Sequence, residues 1–135
     1  MNGLTLRLLA TPGAVPLARH AVREHLGGDP DAELCVSELL TNVLTHLGEG
    51  TPVTLRIIGR AARTRVELTD PDPRAPVQRH ATGTGESGRG LALLDALALE
   101  WGVRPEGTGK TVWCVLGELD PGHSPDGRVA LITGG

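Results

Sequence analysis

Apolar and polar residues alternate in several short segments of the chain, which is the pattern of half-buried β-strands. These segments are residues 4–9, 52–60, 63–70, a stretch that starts at Trp101, and 110–116. The second and third segments are joined by a short connection at residues 59–62, and Gly109 turns the chain into the last segment. We therefore expect both of these pairs to form antiparallel hairpins.

Three other segments have apolar residues at helical spacing: residues 17–26, 32–47 and 91–99. The first ends at Gly27-Gly28, and the second closes at Gly48. Asp29-Pro30-Asp31 precedes the second segment and supplies an N-terminal cap and an acidic first turn. The pattern thus predicts three helices.

Between residues 71 and 89 both patterns fail, because prolines, glycines and scattered polar residues leave no apolar face long enough to pack. A loop of this length in a compact domain is uncommon unless it is functional or disordered. The order of elements predicts an α+β fold: a two-layer α/β sandwich with a mixed, mostly antiparallel sheet and helices on one face. We assign residues 1–117 to this domain and residues 118–135 to a Gly/Pro-rich C-terminal tail, in which only residues 129–132 have an ordering pattern.

The composition changes this interpretation only in detail. A chain of 135 residues suits one domain, and 39% apolar residues is a globular share. Trp101 and Trp113 are the only aromatic residues of the Phe, Trp and Tyr set, so we expect an aliphatic core. The net charge is −3 and the basic residues are spread out, so direct nucleic-acid binding is not expected.

The two cysteines, Cys35 and Cys114, both lie in apolar periodic segments. This placement favours two buried thiols over a disulfide framework or a metal site. No apolar run approaches the roughly 18 residues of a membrane span, and the N-terminus lacks a signal pattern. We expect a cytoplasmic protein without a membrane partner.

Two short stretches match nucleotide-binding motifs only in part. Residues 107–111 (GTGKT) resemble the end of a P-loop and contain Lys110, the only lysine of the chain, but position 104 is Arg and a strand follows. Residues 83–88 (GTGESG) fit G-x-G-x-x-G, but they do not follow a strand directly. We interpret the first as a hairpin turn and give the second no weight by itself.

Polar side chains recur at every fourth position of the second predicted helix, in the stretch SELLTNVLTH. Glu38, Asn42 and His46 advance by about 40° at each step and form a stripe beside the leucines. They therefore lie at the border of the buried face. Each residue alone fits a boundary residue that reaches water, and this alternative stays open, but a carboxylate and an amide on one stripe favour a site.

Two downstream features add to this stripe. Asp70 ends a predicted strand where the loop begins, which suits either a residue facing a cleft or an Asx turn before Pro71. The run from Gly88 to Leu91 then leads into the third helix. Free N–H groups at a helix N-terminus suit a phosphate, whereas the alternative is a flexible connector.

These stretches, in this order, resemble the sequence boxes of one family. Glu38-Leu-Leu-Thr-Asn42, Asp70-Pro-Asp-Pro, Glu86-Ser-Gly-Arg-Gly-Leu91 and Gly109-Lys-Thr-Val-Trp113 are similar to the N, G1 and G2 boxes and the last strand of the Bergerat-fold, histidine kinase-like ATPases. More narrowly, they resemble the actinobacterial anti-sigma-factor serine/threonine kinases related to the stress and sporulation regulators of bacilli. The resemblance covers about residues 5–117.

The resemblance implies a cofactor, ATP with Mg²⁺, and a role for each matching residue. Asn42 would hold Mg²⁺ on the phosphates, Glu38 would be the general base, and Asp70 would receive the adenine amino group. Thr111 would complete the adenine side. The G2 residues would lie at the phosphates: Gly88, Arg89, Gly90 and Leu91. His46 matches a histidine of the relatives but receives no role.

One box departs from the family pattern. The usual D-x-G-x-G reads Asp70-Pro71-Asp72-Pro73-Arg74, and proline fixes φ where glycine is expected. The resemblance implies a kinase that phosphorylates an anti-anti-sigma (STAS-type) protein, sequesters a sigma factor and forms a homodimer. The prolines favour the alternative, a non-catalytic binding module of the same fold with weak or no nucleotide binding.

Overall fold

The computed structural model of the protein describes residues 2–60, 62–74 and 86–117. The elements follow one another as β1 (Asn2–Leu9), α1 (Ala14–Leu26), α2 (Pro30–His46), β2 (Pro52–Arg60), β3 (Arg63–Asp70), α3 (Glu86–Leu97), β4 (Glu100–Glu106) and β5 (Gly109–Gly117). This order is the expected one, and β2 and β3 have the bounds that the alternation predicts. The C-terminal tail, with residues 129–132, lies outside the described residues.

The described strands form one sheet in the order β1-β2-β3-β5-β4. Every neighbouring pair is antiparallel, in agreement with the mostly antiparallel sheet that was expected, and the described strands include no parallel pair. The reason is topological: β4 runs in the same direction as β3, but β5 lies between them and separates the two. The two expected hairpins, β2–β3 and β4–β5, are confirmed.

One face of the sheet packs against the helices and forms an aliphatic core. In β2 the inward positions are Val53, Leu55 and Ile57, each at most 4% exposed, and the alternation continues across β3 and β5. Helix α1 contacts β1, α2 contacts β3 and β5, and α3 contacts β4. The helices thus cover one face, as expected, and they leave the other face of the sheet open in the described residues.

The two cysteines sit where the helical layer meets the sheet. Cys35 of α2 and Cys114 of β5 are both fully buried and free. A hydrogen bond with Cys35, together with burial, raises the pKa of the Cys114 thiol. The expectation of two buried thiols is confirmed.

Helix α2 begins and ends at the residues that favour helix boundaries. The Asp29 carboxylate accepts a hydrogen bond from the Ala32 N–H at 3.2 Å, and Pro30 occupies the first helical position, where its missing N–H removes no bond. After the helix, Gly48 adopts φ +99°, which a side chain would disfavour. The cap and the glycine thus define where α2 begins and ends.

The open face of the sheet carries a buried carboxylate among arginines. Glu67 is 6% exposed, and Arg65 donates to it with Nε 2.6 Å from Oε2, while Arg104 lies 3.6 Å away. Burial acts to raise the pKa of Glu67, but the hydrogen bond from Arg65 and the charge of Arg104 outweigh it and lower the pKa. Arg65 also stacks over the Trp113 ring, 4.4 Å from its centroid.

Helix α3 begins earlier than the sequence predicts. It starts at Glu86, so Gly88 and Gly90 lie within its first turns and not in a loop before it. Glycine lowers helix propensity by about 1 kcal/mol relative to alanine, which conceals a helix that tertiary packing stabilises. Within the part of the chain that the structure describes, no helix is long and apolar enough to cross a membrane.

Candidate functional site

Helix α2 presents the polar stripe at the border of the core. Glu38 and Asn42 are half-buried, whereas the neighbouring Leu39, Leu40 and Val43 are buried and His46 is exposed. The border position expected for Glu38 and Asn42 is confirmed, and His46 lies outside it. To other described residues, neither the Glu38 carboxylate nor the Asn42 amide makes a hydrogen bond or ion pair.

Asp70 ends β3 with its carboxylate buried, only 5% exposed. Its Oδ1 accepts a hydrogen bond from the Asp72 N–H at 2.8 Å, which is the Asx turn that the sequence left open as an alternative. The side chain lies on the face of the sheet that carries Leu68 and the helices, because side chains alternate along a strand. Asp70 thus combines a turn-forming bond with a position at the end of the core.

Lys110 forms an ion pair with Asp70. The strand register places the two residues opposite each other, and the Lys110 Nζ lies 3.1 Å from both Oδ1 and Oδ2. The same Nζ donates to the backbone carbonyl of Asp72 at 3.1 Å. Lys110 is only 7% exposed, so this is a buried pair and not a surface contact.

Thr111 lies on the other face of the sheet. It pairs with Thr69, the two hydroxyl oxygens are 2.6 Å apart, and Thr111 also donates to Glu106 at 3.4 Å. Successive side chains of a strand point to opposite faces, so Thr111 points away from the face of Asp70. The structure does not bring Thr111 together with Asp70; the β5 side chain beside that carboxylate is Lys110.

Gly109 is required for the close approach of β5 to the end of β3. A Cβ at this position would lie 1.9 Å from the Asp70 carbonyl oxygen, and real contacts of this kind are far longer. The sequence predicts a hairpin turn at Gly109, and because the P-loop match at residues 107–111 is only partial, it gives Lys110 no role in a site. A lysine within a strand that is otherwise buried was the available signal of such a role.

Arg74 fixes the turn that follows Asp70. Its guanidinium pairs with the Asp72 carboxylate, with Nη2 2.6 Å from Oδ2, and its backbone N–H donates to Oδ1 at 2.9 Å. These bonds lower the pKa of Asp72. The segment with the two prolines is therefore held by side-chain bonds where the family pattern has glycines.

The G2 residues enter this description only through their backbone. Gly88, Arg89, Gly90 and Leu91 belong to the first turns of α3, and their side chains lie outside the described residues. Helix α3 packs against α2 and β4. The structure thus places this run at the start of a helix next to the helix that carries Glu38 and Asn42.

A cavity of about 500 Å³ opens near Asp70, at the end of the sheet. Its lining includes Asp70 and Pro71, but also Arg7, Thr54 and Glu106. The last three have positions on the open face, and neither Glu38 nor Asn42 lines the cavity. This cavity is therefore separate from the polar stripe of α2.

Comparison with known proteins establishes the family. The histidine kinase-like ATPase domain matches residues 8–116, which include every described element except most of β1 and the end of β5. The chain therefore belongs to the histidine kinase-like ATPase domain family. It is also 50% identical over 82 residues to an uncharacterised protein of Streptomyces coelicolor, and this region is 58% of the chain and 78% of that protein.

A solved structure has the same fold. The chain is similar to the RsbU and RsbW domains of Rv1364c from Mycobacterium tuberculosis, with a TM-score of 0.60 and 19% identity over 86% of the chain. The chain spans about a third of that protein, since it covers 32% of it. This similarity confirms the expected Bergerat-type α+β fold and carries no conclusion about activity.

Proposed function

We propose that this protein binds ATP with Mg²⁺, transfers the γ-phosphoryl group to a serine or threonine of an anti-anti-sigma (STAS-type) protein, and sequesters a sigma factor. The observation that carries the proposal is the placement of Glu38 and Asn42 one turn apart at the accessible border of α2. The family supplies the ATPase class, and the sequence boxes that resemble the anti-sigma-factor kinases supply the partner class.

The donor set at the site fits a magnesium nucleotide. Mg²⁺ prefers oxygen ligands and keeps several waters, so one amide oxygen from Asn42 suits it. Gly88 and Gly90 have no Cβ to hold a phosphate away from the backbone of α3, where Arg89 and Leu91 also lie. Asp70 supplies a carboxylate for the amino group of adenine, although Lys110 already shares that carboxylate.

In this proposal Glu38 accepts the proton of the substrate hydroxyl. The bound nucleotide supplies the phosphoryl group, whose bond to the ADP oxygen breaks as the hydroxyl oxygen bonds to phosphorus. The Glu38 carboxylate then carries the proton that the hydroxyl loses. Because Glu38 is half-buried at the helix border, it can reach a protein side chain that approaches from solvent.

The proposed homodimer would use the edge of the sheet at β1. In the described residues β1 pairs only with β2, so its outer edge can accept another strand. Leu9 at the end of β1 is 57% exposed and Leu17 in α1 is 60% exposed. These apolar side chains near the edge support a protein contact there.

A cytoplasmic location follows from the proposed partners.

The second candidate is a binding module that captures a sigma factor or an anti-anti-sigma partner without phosphoryl transfer. The ion pair of Asp70 with Lys110 favours it, because the acceptor for adenine already has a partner. Titration calorimetry with ATP and ADP in the presence of Mg²⁺ separates the candidates. No binding defeats the kinase proposal, and binding without transfer to any candidate anti-anti-sigma protein selects the module.

A further inference from the structure

The buried pair of Lys110 with Asp70 bears on which base this protein selects. We infer that Lys110 is the specificity-determining residue of the base site, because it competes with a purine 6-amino group for the Asp70 carboxylate. The inference rests on the proposed nucleotide binding and adds a cause for weak base selection. A lone carboxylate would favour the 6-amino group of adenine, whereas the paired one discriminates little between a 6-amino and a 6-oxo purine.

The Asp70 carboxylate already has hydrogen-bond donors. The Lys110 ammonium donates to Asp70 Oδ1 and to the carbonyl of Asp72, and the other carboxylate oxygen, Oδ2, lies 3.1 Å from Nζ in the ion pair. The Asp72 N–H occupies a further position on Oδ1. An amino group of a base would therefore bind an acceptor that is partly used and electrostatically neutralised.

The charges favour the lysine over the base. A hydrogen bond to a carboxylate is strengthened by the charge of the acceptor, and an ammonium donor adds the Coulomb attraction of its own charge. The amino group of a purine is neutral, so it gains less from the carboxylate than the ammonium does. It cannot replace Lys110 without leaving an ammonium that is 7% exposed unpaired.

The backbone holds Lys110 in this position. Lys110 lies directly opposite Asp70 in the β3–β5 ladder, and Gly109 lets the two strands approach closely. On the other side of Asp70, Arg74 fixes the turn through Asp72. The register and the turn thus place the pair at the end of the sheet.

The test measures the affinity of the folded chain for Mg-ATP and for Mg-inosine triphosphate, which has a 6-oxo purine, by titration calorimetry. Lys110→Met removes the ammonium at similar length. Arg7→Met is the control, because it also removes a cation from this end of the sheet. Arg7 lies in the row of paired residues next to that of Asp70 and Lys110, and its side chain is on the opposite face. ATP is a polyanion, so the loss of a nearby cation should by itself weaken ATP binding. A gain of ATP affinity in Lys110→Met would therefore be opposite to the simple electrostatic effect.

We expect Lys110→Met to bind ATP about tenfold or more tightly than the unmodified chain, the size of one hydrogen bond to a charged group. The affinity for inosine triphosphate should not rise, and Arg7→Met should not gain affinity for either nucleotide. Unchanged or weaker ATP binding by folded Lys110→Met overturns the inference while the proposed function stands. ATP binding by the variant alone supports the inference and defeats the proposed function. Binding by neither protein overturns both.

The unmodified chain decides the question if Lys110→Met does not fold. Near-equal affinities for the two nucleotides support the inference. A preference for ATP of about tenfold or more, as expected of a free carboxylate acceptor, overturns it. If Lys110→Met does not fold and the unmodified chain binds neither nucleotide, the inference is also overturned.

Discussion

Arg23 of α1 holds both carboxylate oxygens of Glu33 in α2, with Nη2 2.7 Å from Oε1 and Nε 3.3 Å from Oε2. Glu33 is only 4% exposed, so the pair joins the two helices at the edge of the core. Arg23→Met should lower the melting temperature, because it leaves a buried carboxylate without its cation. Arg19→Met, on the same helix and exposed, should lower it less. Equal shifts in thermal melts of the two variants would contradict the structural role of the pair.

Glu67 predicts how stability depends on pH. Its folded-state pKa is lowered, so its contribution is present above the unfolded pKa of about 4.3 and is lost as pH falls through the folded value. Glu67→Gln should therefore have a lower urea midpoint than the unmodified chain at pH 7, and the two midpoints should converge at acidic pH, below the unfolded pKa. Glu100→Gln, exposed on the same face, is the control. A constant gap between the midpoints would exclude Glu67 as the cause.

Gly109→Ala tests the close contact at the end of β3. The added Cβ meets backbone and not a flexible side chain, so β5 must move away from Asp70. We expect the free energy of unfolding in urea to fall by about 1–3 kcal/mol, as for other overpacked sites. Gly3→Ala in β1 is the matched control, because nothing lies within 4 Å of the Cβ that it would add, and it should be nearly neutral. Similar losses in both variants would point to a general glycine effect.

Glu38→Gln tests the proposed general base. The amide keeps the shape of the side chain but cannot take a proton, so transfer should slow by about 10²–10⁴-fold. ATP affinity by calorimetry should remain within a factor of about two, because the substitution removes no contact assigned to nucleotide. His46→Ala, two turns along the helix, should transfer normally. Normal transfer by Glu38→Gln would mean that another group accepts the proton.

Asn42→Ala tests the proposed magnesium ligand. We expect the variant to lose ATP affinity when Mg²⁺ is present and to match the unmodified chain when the metal is removed with a chelator. Circular dichroism serves as the control for folding, since Asn42 is only half-buried. An equal loss of affinity with and without Mg²⁺ would show that Asn42 contacts the nucleotide and not the metal.

The sequence predicted the elements better than their contacts. Alternation located the β2–β3 hairpin, because one face of each strand is buried and the other is polar. The start of α3 was missed, since Gly88 and Gly90 have low helix propensity and packing overrides it. In β5 the run from Thr111 to Leu116 is largely apolar, so alternation could not tell which face Thr111 or Lys110 occupies. Only the register with β3 pairs Lys110 with Asp70.

The buried thiols supply a built-in reporter of how the two layers separate. Cys35 belongs to the helical layer and Cys114 to the sheet, and neither is accessible in the folded chain. A thiol reagent can therefore reach them only when α2 lifts from β5 or the whole domain opens. The rate of thiol labelling can be measured with and without nucleotide. A slower rate with nucleotide would mean that the ligand stabilises the packing of α2, the helix that carries Glu38 and Asn42, against the sheet.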